Sequence, residues 1–138
     1  MGRLDEALPL RQEAYSEFLK LKGEEHMYSL QAANNYAMTL INLQRHAEAR
    51  ALMRKTMPVA RRVLGDNDRL TLKMRWAYAK ALYLDDGATL DDTREAANTL
   101  EETEGIARRV LGGAHPLTTE IERTLRNAQA TLRAHEAA

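Results

Sequence analysis

The chain has 138 residues, and its 20 basic side chains balance 20 acidic ones. It therefore has no positive surplus to displace counterions from nucleic acid or to hold an anionic bilayer. Cysteine is absent, which excludes disulfides, thiolate nucleophiles and cysteine-bound zinc, and no apolar run approaches the ~20 residues of a membrane span. Helix formers dominate and period-two strand patterns are missing, which points to an all-α protein of a reducing, cytoplasmic setting.

In chain order, Leu4, Ala7, Leu8, Tyr15, Phe18 and Leu21 predict a first amphipathic helix that ends at Gly23. A second helix is predicted over 28–43. A third, over 46–64, carries the stripe Ala49, Leu52, Met53, Thr56, Ala60 and Val63, with Pro58 expected to bend it or loosen one turn. Asn67 or Asp68 caps a fourth helix over 69–84, and the turn formers of 84–90 follow. Asp92 with Glu95 predicts a capping box opening a fifth helix at 93–111, with Ala96, Leu100, Ala107 and Val110 as its stripe. His115-Pro116 introduces a sixth helix over 117–134. Gly23, Gly65 and Gly112 each follow a stripe, where a residue without Cβ takes the left-handed conformation of a helix C-cap.

These elements are copies. Ala-Arg-Arg-Val-Leu-Gly stands at 60–65 and again at 107–112. Gly65 follows Gly23 by 42 residues, and Gly112 follows Gly65 by 47, the extra five fitting in 84–90. Glu6 and Ala7 recur as Glu48 and Ala49, then as Glu95 and Ala96; Ser29 becomes Thr71 and Thr118. Neither helix of such a pair buries its stripe alone, so neighbours stack. The expected fold is one domain over 1–138, a right-handed α-solenoid of about six helices in stacked antiparallel pairs. Its units are about 1–26, 27–68, 69–115 and 116–138, the first and last partial. The last helix is expected to be an end cap, and self-association through the solenoid ends is an open expectation.

The cap loop Gly23-Glu24-Glu25-His26, then Ser29-Leu30, Asn34-Asn35-Tyr36-Ala37 and Glu48-Ala49, resembles the 42-residue tetratricopeptide repeats of kinesin light chains. The second copy keeps Gly65, Asp68, Thr71-Leu72 and Ala79 but puts Trp76-Ala77 in place of the asparagine pair. The third keeps Gly112, His115 and Thr118 and then departs, with Arg126 where the small alanine belongs. The resemblance implies a protein-interaction scaffold without catalysis, whose first helix in each pair lines a concave groove for a peptide. By position that groove is expected to show Gln31, Asn34, Asn35, Met38 and Asn42, then Lys73, Trp76, Lys80 and Tyr83, then Arg123 and Asn127. Trp76 and Tyr83 would form an aromatic platform, flanked by Lys73 and Lys80, for an acidic peptide with an apolar anchor. The same residues also fit a structural account, in which Trp76 packs between repeats, the asparagines cap turns and the lysines are solvated.

Enzyme readings find no support in the residues. The four histidines form no His-Glu-x-x-His pair, and His26 and His115 sit in equivalent cap loops. The acidic stretch around Asp85-Asp86 and Asp91-Asp92 lacks the alternating ligands of a calcium loop, and no phosphate loop or nucleophile elbow is present. No cofactor or metal is expected. Arg61-Arg62 and Arg108-Arg109 suit helix C-termini. Two alternatives stay open, a regulatory segment of a larger signalling or NTPase-type protein and a helical-repeat nucleic-acid binder.

Overall fold

The computed structural model describes residues 2–138, in which six helices alternate with short turns. They are α1 (Gly2–Lys22), α2 (Met27–Asn42), α3 (His46–Leu64), α4 (Arg69–Tyr83), α5 (Leu90–Leu111) and α6 (Pro116–Ala137). Each packs on the next, and α4 also touches α2 and α6, whereas neither α1 with α3 nor α3 with α5 is in close backbone contact. The even-numbered helices thus lie together on the inner side of the stack and the odd-numbered ones splay along its outer side. This is the repeat solenoid the sequence predicts.

Small residues set the close approach: Ala33, Ala37, Ala49, Ala60, Ala77, Ala79, Ala96 and Ala107 are wholly buried. Between them Leu30, Leu40, Met53, Leu72, Met74, Leu82, Leu100 and Ile121 fill the core. The recurring hydroxyl ties neighbouring units. Ser29 Oγ donates to the Phe18 carbonyl at 3.1 Å and Thr71 Oγ1 to that of Ala60 at 3.4 Å, while the buried Thr118 hydroxyl has no partner. Across the outer side, long side chains bridge α3 to α5. Arg50 Nη2 pairs with Asp92 Oδ1 at 3.0 Å, and Tyr78 Oη accepts from Arg54 and donates to Glu95.

The three cap loops share one geometry. His26 Nδ1, Asp68 Oδ1 and His115 Nδ1 each accept the backbone N–H two residues on, at 3.0, 2.8 and 3.0 Å. An imidazole nitrogen serves here as a carboxylate does, so the two loop histidines act as helix caps. The glycines before them have positive φ, as expected, but with ψ of 162° at Gly65 and 151° at Gly112. That is not the left-handed helical well; it is a region essentially reserved for glycine.

Two further expectations need correction. The capping box of α5 is Thr89 with Asp92, not Asp92 with Glu95, and the helix begins at Leu90. Thr89 Oγ1 accepts the Asp92 N–H at 3.1 Å and Asp92 Oδ2 accepts the Thr89 N–H at 3.0 Å, which leaves Glu95 free for Tyr78. Leu21, Val63 and Val110 are 73%, 41% and 42% exposed rather than buried. The stripe continues in steps of four there, so half-buried Leu64 and Leu111 take the inner position. Pro58 lies inside α3 without ending it.

Two predictions arise from these ends. The Thr89 backbone N–H, then the Arg50 guanidinium, hold the Asp92 carboxyl below the usual carboxylate range, against the opposing effect of burial. A lowered native pKa gives stability that is complete above the unfolded value of about 3.9 and is lost as pH falls through the folded one. Asp92→Ala is expected to cost about 1–2 kcal/mol at pH 7 by loss of the cap. In urea melts at a series of pH values, that deficit shrinks below about pH 4.

The turn after α2 is a Schellman motif. Arg45 N–H donates to the Leu40 carbonyl at 2.8 Å and Gln44 N–H to that of Ile41 at 2.9 Å. Gln44 occupies its left-handed position, with φ 61°. Gln44→Gly should therefore stabilise by about 0.5–1 kcal/mol, read as a higher denaturation midpoint at unchanged slope.

Candidate interaction surface

The inner side is built by α2, α4 and α6, and the residues expected there divide sharply. Gln31, Asn35, Asn42, Lys73, Arg123 and Asn127 are exposed, and Met38, Trp76 and Lys80 half-buried. Asn34 is only 8% exposed, with its Oδ1 unpaired. Tyr83 is 9% exposed, so the platform expected of Trp76 and Tyr83 does not form. Tyr83 falls in the last turn of α4, within hydrogen-bonding reach of Asn127 on α6. Burial pushes its phenol up, with an Asn127 hydrogen bond acting the other way.

Trp76 is fixed rather than free. Its Nε1–H donates to Thr124 Oγ1 of α6 at 2.9 Å, and Lys80 Nζ lies 4.5 Å from the ring centroid. A cation held over an indole face is stabilised by the ring quadrupole. Burial pushes the Lys80 ammonium below the ordinary lysine range, with Glu120 partly opposing. Tryptophan here is both packing residue and platform for a lysine, a combination that neither sequence account contained.

Ten arginines make ion pairs with carboxylates, among them Arg61 with Asp66 and Arg108 with Glu104 and Glu122. On the inner side Arg123 is held by Glu120 at 3.2 Å. Lys73 and Lys80 have no ion pair among the described residues. They stand seven positions apart on α4, on one face and roughly 10 Å apart along it, so an uncompensated cationic pair flanks Trp76.

Two hollows adjoin this face. One, of about 480 Å³, lies where α2 and α4 end, between Asn42, Gln44 and His46 on one side and Lys80, Asp85 and Asp86 on the other. The five-residue insertion supplies its wall. The second, of about 160 Å³, brings Gln31 and Asn35 together with Arg11, Ala14, Phe18, Tyr28 and Ala32. Sequence reasoning missed its α1 residues, since Phe18 was read as part of a buried stripe and Arg11 and Ala14 were given no role. Their signal was a departure from the repeat, with Arg11 at the register of Met53 and Ala32 at that of Met74.

Among the described residues no group of three or more metal-ligating side chains converges, and no helix is long and apolar enough to cross a membrane. Residues 29–69, which span α2, α3 and the turn into α4, match the family model described as tetratricopeptide repeat. No curated protein matches the chain.

Proposed function

We propose that the chain, whose residues 29–69 match the tetratricopeptide-repeat model, is a protein-interaction module holding a peptide segment of a partner against α2, α4 and α6. It binds without chemical turnover, and residues 1–138 act as one unit of the kinesin-light-chain-like kind that a 42-residue period suggests. Repeats of this family generally mediate protein–protein contact. The observation that carries the reading is Lys73 and Lys80, unpaired on the inner face beside Trp76, while ten arginines are neutralised by carboxylates. Uncompensated charge of one sign selects a complementary partner, so the peptide is acidic. Exposed amides at Gln31, Asn35, Asn42 and Asn127 donate and accept at once, as a main chain requires.

Selection of binders from a random peptide display library tests this. Acidic peptides should be enriched, and the double variant Lys73→Glu, Lys80→Glu should bind them more than tenfold more weakly, about 1.4 kcal/mol or more. Unchanged affinity would remove the acidic-peptide reading.

A further inference from the structure

The hollow between α1 and α2 has a counterpart within the same chain. By repeat register, its positions 11 and 32 correspond to Met53 and Met74 at the junction of α3 with α4 and to Leu100 and Ile121 at that of α5 with α6. All four counterparts are wholly buried. At the junction of α1 with α2 those positions hold Arg11 and Ala32 instead, and they line an open slot of about 160 Å³. Ala32 is buried, Ala14 and Phe18 are half-buried beside it, and the Tyr28 ring, 52% exposed, packs 5.8 Å from that of Phe18. The other two junctions thus bury unbranched or branched apolar side chains of leucine to methionine size at these positions.

The rim supplies the rest of a recognition site. Arg11 is exposed and makes no ion pair among the described residues, in contrast to the ten paired arginines. The Gln31 and Asn35 side chains are exposed, and neither makes a hydrogen bond among the described residues. A volume of about 150 Å³ admits a group of benzene size, and a leucine side chain fits within it.

We propose that this slot is the anchor subsite of the groove. It takes one leucine-sized aliphatic side chain from a partner segment, whose neighbouring carboxylate meets Arg11 and whose main chain pairs with Gln31 and Asn35. The assignment rests on the peptide-binding reading above and moves its apolar anchor from the Trp76 region to the junction of α1 and α2.

The test is a titration of alanine-methyl-labelled protein with N-acetyl-Leu-Glu-amide, followed by NMR. The Ala14 and Ala32 methyls should shift together, with a Kd on the order of 1 mM for so small a probe. Ala32→Met installs the side chain that the next unit carries at this position and should abolish the Ala14 shift. Tyr28→Ala, at an exposed position, should weaken binding at least fivefold and decides the matter if Ala32→Met does not fold. Arg11→Glu should weaken this probe but not N-acetyl-Leu-Gln-amide. No shift at Ala14 and Ala32, an unchanged shift in both slot variants, or equal binding of N-acetyl-Trp-Glu-amide would overturn the proposal. Those results leave peptide selection at Lys73 and Lys80 unaffected, and a selection that enriches no acidic peptide while the Ala14 and Ala32 methyls still shift removes the Lys73 and Lys80 reading alone.

Discussion

Leu82→Ala should lower the unfolding free energy by about 3 kcal/mol, within the 2–5 kcal/mol range typical of a buried leucine truncated in a packed core. Leu82 is wholly buried on α4, the one helix that packs against α2, α3, α5 and α6. In a stacked array each unit is supported by its neighbours, so damage at a central helix removes support from both directions. The same truncation at Leu132, half-buried near the end of α6, should cost far less and free only the terminal turns. Urea denaturation gives the magnitudes. Native-state hydrogen exchange tells global loss from end fraying, with protection falling in every helix for Leu82→Ala and in α6 alone for Leu132→Ala. Equal costs for the two variants would contradict the packing described.

A second pair of variants should move stability in opposite directions. Arg75 is 3% exposed, its Nη2 donating to Glu102 Oε1 at 2.9 Å, while Nε and Nη1 are buried without partners. Its counterparts in the repeat are the wholly buried Ala33 and the half-buried Glu122, so a buried cation at this position is peculiar to this unit. Buried donors without acceptors cost free energy, and replacing a buried ion pair by apolar side chains is often neutral or stabilising by about 1–4 kcal/mol. Arg75→Met should raise stability by about 1–2 kcal/mol, since Glu102, whose side chain is 58% exposed, returns to water at little cost. Glu102→Gln leaves the guanidinium buried and uncompensated and should cost about 2 kcal/mol. Denaturation midpoints of the two variants decide it, and a loss in both would mean that Arg75 has acceptors the geometry does not show.

The architecture was legible because it is written in periodicity. The repeated hexapeptide, the three glycines and the Ser29–Thr71–Thr118 series are backbone requirements, and a backbone requirement leaves the same residue at the same interval. Capping was less legible. Thr89-x-x-Asp92 and Asp92-x-x-Glu95 both satisfy a box pattern, and only Arg50, 42 residues away, shows which carboxylate is taken up. The inner face was legible by position but not by exposure. Periodicity assigns Tyr83 to the same face as Trp76, yet Tyr83 is buried, with Asn127 of α6 beside it. The slot at α1 and α2 is marked by residues that break the repeat, so an analysis of what recurs passes over it.

The unequal spacing of the two rows of helices has a mechanical result. The inner row is joined backbone to backbone, whereas α3 and α5 are linked through the tips of Arg50 and Arg54. The stack is therefore stiff along one edge and compliant along the other. Flexing should be taken up by rotating side-chain torsions rather than by prying apart packed alanines, so the curvature of the stack should change before its fold is lost.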